Sequence, residues 1–197
     1  MCIRARVLIK AILERHHATR QWEPGKPPSD QSAQPTGRTA IAVLALLESG
    51  MPVQTPQIAA AIDWLNQTPA DGTYAIAARL MVLTRLNDQF LPAAKAATRQ
   101  LLERFSIQGG GWDYGPAPRA GFVDQSLTQF ATQALRDAPA RGIAIPDRLF
   151  EIVRRRFLAR QRHDGGWGYR DLADPTRGSM TAAGLATLAI CHRVNPG

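Results

Sequence analysis

Two short stretches gather the residue types that carry chemistry: Gln108-Gly109-Gly110-Gly111-Trp112-Asp113-Tyr114 and Gln161-Arg162-His163-Asp164-Gly165-Gly166-Trp167-Gly168-Tyr169. Each joins a carboxylate, a glycine turn and a Trp and Tyr two residues apart. A positioned carboxylic acid can serve as a general acid, and Asp113 and Asp124 are the catalytic candidates should the chain be an enzyme. Tyr114 and Tyr169, with Arg79 and Arg177, offer hydroxyl and guanidinium donors to an anionic head group. Trp112 and Trp167 offer rings on which a ligand can stack. Gln129, Thr128 and Thr181 stand on the helices these stretches lead into. Each group also has a purely structural reading: Asp124 as a helix N-cap, Asp164 as a turn former, and the set Gln108, Trp112, Gln161, Asp164, Gly165, Gly166 and Trp167 as staples between helices.

No metal site and no cofactor are expected. Cys2 and Cys191 lie at opposite ends of the chain, without partners at ligand or redox spacing. Cys191 and His192 are neighbours on a helix and so diverge by about 100°. His16, His17 and His163 show no ligand pattern.

The elements that must position these residues are helical. Apolar residues recur at i, i+3, i+4 from Ile3 to about Thr19, and a Pro/Gly/Ser loop follows over 23–37. Thr39 to Leu47 is an apolar helix stopped by Gly50 and Pro52. Pro56 opens one that ends near Gln67, Thr73 opens one to about Leu86, and Pro92 opens one whose stripe runs through Ala97, Leu101 and Phe105. Helices then run from Asp124 or Ser126 through Leu135, from Asp147 to Gln161, and from Ser179 to about His192.

Four helices align on a threonine followed seven residues later by a leucine: Thr39 with Leu46, Thr73 with Leu80, Thr128 with Leu135, Thr181 with Leu188. The starts are 34, 55 and 53 residues apart. A drifting period with variable loops marks stacked helical hairpins. In each, an amphipathic helix faces outward, a glycine turn reverses the chain, and a second helix, small and apolar nearly all round, is enclosed by its neighbours.

At 197 residues the chain can bury a substantial core without disulfides. Its formal charge of +8 is carried almost wholly by arginine, with Lys10, Lys26 and Lys95 the only lysines. Nucleic acid, an anionic membrane surface, an acidic ligand and plain solubility are all compatible with that charge. The densest cluster, Arg154, Arg155, Arg156, Arg160 and Arg162, reads as a solvated outer face. No nucleic-acid module pattern accompanies it, which argues against a nucleic-acid partner. No apolar run approaches the roughly 20 residues of a membrane span, and the charged start does not read as a secretion signal. The expectation is a cytoplasmic protein, with peripheral membrane contact through the basic first helix left open.

The stretch Gln161…Asp164-Gly165-Gly166-Trp167-Gly168-Tyr169 followed by Ser179-Met180-Thr181-Ala182-Ala183-Gly184-Leu185 resembles the Gln-Trp repeat of protein prenyltransferase β-subunits and squalene or oxidosqualene cyclases. Gln108 to Thr128 is a weaker copy, and Trp22 and Asp71-Gly72-Thr73-Tyr74 look like degenerate ones. The order of motifs is also similar to bacterial squalene-cyclase-like repeat domains. The resemblance implies an all-α, α/α-toroid fold in one domain over 1–197, its four hairpins forming an incomplete or open ring. It further implies an apolar, isoprenoid-like ligand or a protein partner on the concave face.

The departures shape the functional expectation. Squalene-type cyclases use an Asp-x-Asp-Asp acid, and nothing here has that spacing: Asp171 and Asp174 fall in a loop, while Asp113 and Asp124 stand alone. The zinc-holding Asp, Cys and His of the prenyltransferases have no counterpart. A ligand-binding repeat domain is therefore expected ahead of two alternatives. One is a terpene cyclase or prenyltransferase-type enzyme, the other a scaffold completed by a partner chain or by self-association through open edges.

Overall fold

The computed structural model describes residues 3–16, 21–23, 36–115, 117–118, 122–170 and 172–194, and for 3–8 the backbone alone. Most of the expected Pro-rich loop, together with Cys2, Asp171 and the apolar face of Val7 and Leu8, lies outside the described residues. Among the described residues eight α-helices follow one another: α1 (Ile3–Glu14), α2 (Gly37–Glu48), α3 (Pro56–Gln67), α4 (Thr73–Leu83), α5 (Leu91–Glu103), α6 (Gln125–Arg136), α7 (Asp147–Ala159) and α8 (Gly178–Val194). Among the described residues there is no strand, only an isolated bridge between Ser106 and Gly111. No described helix is long and apolar enough to cross a membrane.

The helices sort into two rows. In the inner row, α2 packs on α4, α4 on α6 and α6 on α8, while α3 lies against α2, α5 against α4 and α7 against α8. Sequence decides the row. Nine of the eleven residues of α4 are buried, as a helix with apolar or small side chains all round requires. On α7 burial is confined to Leu149, Phe150, Val153 and Phe157, one stripe at helical spacing, with arginines opposite. Leu46, Ile58, Leu65, Ile76, Leu80, Leu101, Leu135, Phe150 and Phe157 make up much of the dry interior. Each such side chain contributes about 1.5–3 kcal/mol by leaving water.

The inner helices run in the same direction. At one end Arg85, just past α4, donates to Met81 O at 2.6 Å and pairs with Glu48 at the end of α2 and with Asp137, the C-cap of α6. At the other end Tyr74 in the first turn of α4 meets Phe130 of α6 edge-on, ring centroids 4.8 Å apart. Gly37 opens α2 where a Cβ would lie 2.8 Å from the Tyr74 ring, so only glycine lets α2 approach α4 this closely.

Most helix ends fall within two residues of expectation, and two C-terminal ends stop shorter for local reasons. Helix α1 stops at Glu14, short of Thr19, because Arg15 N–H and His16 N–H turn back to Ile12 O and Leu13 O at three-residue spacing. Helix α4 stops at Leu83, where Arg85 and Leu86 make the same tight return to Val82 O and Leu83 O.

Candidate functional site

The Gly-Trp stretches form a recurring clasp. Three indoles donate from Nε1 to a carbonyl two residues before the end of the preceding outer helix: Trp22 to Ile12 O at 2.7 Å, Trp112 to Leu101 O at 2.7 Å and Trp167 to Phe157 O at 2.8 Å. Those carbonyls lie in the last turn of their helices, where the regular four-residue bond ends; Ile12 O and Phe157 O also take a three-residue return from Arg15 and Arg160 N–H. The same tryptophans donate from the backbone to the threonine of the following inner helix: Trp22 to Thr39 at 2.9 Å, Trp112 to Thr128 at 3.1 Å, Trp167 to Thr181 at 3.4 Å. In the third and fourth hairpins the threonine hydroxyl then donates to the carbonyl of the N-cap, Asp124 or Arg177, and that residue's N–H returns to the Trp carbonyl. Gly110 and Gly165 adopt left-handed φ of 73° and 80° to make the turn. At Gly111 and Gly166 a Cβ would come within 2.4 and 2.2 Å of the Thr128 hydroxyl and the Thr176 methyl.

Several candidates are thereby assigned to structure. Trp112 and Trp167 are fully buried and present no face to a ligand. Thr128 and Thr181 are clasp acceptors. Asp164 takes hydrogen bonds from Gly166 N–H and the Thr176 hydroxyl, which hold its carboxyl below the usual range. Asp124 is the N-cap of α6, accepting from Leu127 N–H at 3.0 Å and from the Ser126 hydroxyl. Asp113 accepts from Tyr114 N–H at 2.6 Å, and its carbonyl receives the Thr73 hydroxyl at 2.8 Å. Thr73 is thus the first residue of α4 and bonds to the next hairpin, unlike the other aligned threonines.

Gln161 bonds the backbone of the adjacent turn, as a glutamine at a helix end was expected to, while the helix-end carbonyls go to the indoles. Gln108 is exposed, and exposed Gln161 reaches Gly165 O at 2.9 Å. The helix-end carbonyl goes to the indole because that donor is shielded from water, whereas an amide at the rim competes with solvent. The glutamine that matters structurally is Gln125, fully buried at the start of α6. Its backbone N–H donates to Tyr169 O and its side chain to Gly168 O, both at 2.8 Å, tying the third hairpin to the fourth. The only sequence signal for Gln125 was its place beside a capping aspartate.

The arginine cluster divides. Arg154 and Arg155 pair with Glu151, holding its carboxyl down to about 2. Arg156 turns inward to Gly109 O, Val123 O and Arg170 O, and burial pulls its value down to about 10. Arg162 is committed to Asp174 O at 2.7 Å and to Leu172 O. Arg79 donates to Thr68 O and Asn66 O at the end of α3.

What remains of the predicted site does converge. Tyr114, Tyr169 and Gln129 line one open concavity of about 500 Å³ at the N-terminal ends of α4, α6 and α8, joined by Tyr74, Phe130 and Met180. Ser126 and Ser179 add hydroxyls to its wall. Arg79, Arg177, Asp113 and Asp124 are not among its lining residues. Gln129 donates its amide to Gln133 Oε1 at 2.7 Å. Both Tyr74 and Tyr114 are held above the ordinary phenol value. Burial is the first cause, followed by Glu23 for Tyr74 and Asp124 for Tyr114, with Arg38 and Arg170 offsetting in part. Tyr74 and Phe130 entered no sequence-based site because a Thr-led helix and an i, i+4 stripe claim them for packing. Among the described residues no three His, Cys, Asp or Glu side chains are grouped to hold a metal. Cys191 is buried and its thiol is pushed up to about 12 by that burial. No protein-family model matches the chain, and no curated protein matches it significantly.

Proposed function

We propose that the chain is a Gln-Trp repeat domain of the α/α-toroid kind, four hairpins of an open arc acting in the cytoplasm. On this reading it binds an apolar, isoprenoid-like small molecule rather than transforming one. The observation that carries this is the concavity at the inner-helix N-termini, where Tyr74, Tyr114, Tyr169, Phe130 and Met180 meet around a few hydroxyls and one amide. Mostly apolar walls with a small number of placed polar groups are the usual make-up of a small-molecule site. The parallel inner row, the outer helices and the thrice-repeated tryptophan clasp support the repeat assignment.

The acid that cyclase chemistry would need is a poor fit. Asp124 is 7% exposed and spends one oxygen on two donors at the helix end, while Asp113 lies outside the lining. The test is to incubate immobilised protein with a lipid extract and identify the retained molecules by mass spectrometry. Wild type should enrich isoprenoid-like compounds that Phe130→Ala and Tyr74→Ala proteins do not, and equal recovery from all three would refute the assignment.

A scaffold role has one observation in its favour. The outward side of α8 exposes Ala182, Ala186 and Ala189, with Leu185 59% exposed, where α6 carries the next inner helix on its corresponding side. Light scattering across a concentration series tests this: association abolished by Leu185→Glu supports it, and a monomer throughout rejects it.

A further inference from the structure

Resting on the scaffold reading above, the register of the inner helices fixes what the open side of α8 would receive. Counted from the aligned threonine, the residues one, four, five and eight positions on share one side of a helix that turns about 100° per residue. In α2, α4 and α6 none of them is exposed, and Ala40 and Val43, Ala77 and Ala78, and Thr132 are completely buried. Each of those three helices has an inner helix after it. In α8 the same positions hold Ala182, Leu185, Ala186 and Ala189, all exposed, with Leu185 at 59%. The other end of the row is open in the matching way. The residues one position before the threonine and three after it are buried where an inner helix precedes: Gly72 and Ile76 in α4, Leu127 and Ala131 in α6, Met180 and Gly184 in α8. On α2, which no inner helix precedes among the described residues, Arg38 is exposed, Ala42 is half-buried and Ala45, one turn further along that side, is exposed.

Charge selects the occupant. Arg85, twelve residues after Thr73, pairs with two acids that each stand nine residues after their own threonine: Glu48 at the end of α2, and Asp137 at the end of α6 at 3.5 Å. The equivalent cation of α8, twelve residues after Thr181, is Arg193, which is exposed and enters no ion pair among the described residues. The ends of the inner row therefore alternate acid, base, acid, base, and the row stops on the base. A helix that continues it must run in the direction of α8, carry small residues on its facing side and end on an acid. Helix α2 meets all three conditions, with Ala42 and Ala45 on its open side and Glu48 at its end. A second α8 does not: crossing antiparallel at Leu185 it brings Arg177 to Arg193, and running parallel it brings Arg193 to Arg193. We propose that the open side of α8 seats α2 of a second copy of the chain, head to tail, with Leu185 toward Ala42 and Ala45 and with Arg193 beside Glu48. Such a contact joins two different surfaces, so each copy in the assembly keeps one competent side for the next unless the row closes on itself.

Two variants that each block one side test the direction of the contact: Leu185→Glu closes the α8 side and Ala45→Glu the α2 side. Both residues are exposed, and helical circular dichroism matching wild type shows that each variant folds. Mass is read by sedimentation velocity across a concentration series. Wild type should associate, each variant alone should stay monomeric, and an equimolar mixture should form a dimer and stop there, because each mixed pair retains one unblocked contact. That contact uses α8 of the Ala45→Glu chain, so adding Arg193→Glu to this chain should weaken the mixed dimer by about fivefold at low salt; no weakening overturns the proposed register. Association of Ala45→Glu on its own, or a mixture that stays monomeric, overturns the proposal and leaves the scaffold reading standing. Association that survives Leu185→Glu, or a wild type that is monomeric throughout, removes both.

Discussion

The same indole-to-carbonyl bond occurs at three depths, which makes its worth measurable. Trp22, Trp112 and Trp167 all donate to a helix-end carbonyl at 2.7–2.8 Å, but Trp112 and Trp167 are fully buried and Trp22 is half-buried. Phenylalanine keeps most of the ring and deletes the donor. At buried Leu101 O and Phe157 O water cannot replace the indole, a cost of about 1–3 kcal/mol that is smaller at Phe157 O, which keeps a bond from Arg160 N–H at 3.3 Å, and the lost ring volume adds about 1 kcal/mol. Trp112→Phe and Trp167→Phe should each destabilise by about 2–4 kcal/mol. At Ile12 O water can replace the indole, so Trp22→Phe should cost about 1 kcal/mol or less. Urea denaturation followed by circular dichroism at 222 nm reports this without relying on the fluorescence being removed. The ranking is the test: equal losses at all three sites, or losses under about 0.5 kcal/mol at the two buried ones, would mean that the indole N–H is incidental to the clasp.

Three further outcomes follow from the packing. Gly184→Ala places a Cβ 2.7 Å from the ring of Trp167, a residue held through both its indole and its backbone N–H, so the overpacking cost of about 1–3 kcal/mol should exceed the roughly 1 kcal/mol that alanine gains in a helix; a higher melting temperature would contradict this. Cys191, with its thiol raised to about 12, should resist alkylation at neutral pH in the folded protein and react on unfolding, as mass spectrometry would show. Asp164 has its folded value depressed by Thr176 and Gly166, so its contribution is present above the unfolded carboxyl value and lost as pH falls through the depressed one. Asp164→Asn should therefore flatten stability between pH 5 and 2 (about the range over which carboxyls titrate), and an unchanged acid limb would argue against the bond.

Helices and their order were legible because each rests on local information: Pro56 as the first residue of α3, Gly50 just past the end of α2, the stripe on α7. The clasp was half legible. Recurrence of Gly-Gly-Trp marked the turn, and the left-handed φ at Gly110 and Gly165 matches what those glycines were expected to supply. Which polar atom took the helix-end carbonyl was not legible, since a glutamine and an indole are both competent donors and only burial separates them. The concavity was the least legible part. Tyr114, Tyr169 and Gln129 were found from aromatic and amide chemistry, but Tyr74 joins them across 40 residues of chain through the packing of α4 on α6, where its ring meets Phe130 edge-on. A contact set by helix approach leaves no pattern in the neighbourhood of either residue.

The second hairpin shows what the clasp is for, because it lacks the tryptophan. Only residues 68–72 join α3 to α4, whereas 104–124 join α5 to α6 and 160–177 join α7 to α8. So short a link cannot lay an indole across the end of α3. Arg79, two turns into α4, reaches back instead and donates to Thr68 O at 3.1 Å and Asn66 O at 3.4 Å. Burial lowers its value, yet a guanidinium stays charged in proteins, so both donors are permanent. The bond a loop supplies from outside in the other hairpins is here supplied from the inner helix itself. If that is its role, Arg79→Met, which keeps the apolar stem and deletes the donors, should destabilise by about 1–3 kcal/mol. Arg79→Lys should recover part of the loss, because one ammonium can reach one carbonyl but lacks the fork that spans two. Binding to the concavity should be unchanged in both variants, since Arg79 is not among its lining residues. Loss of ligand without loss of stability would return Arg79 to the site and leave the end of α3 without an explanation.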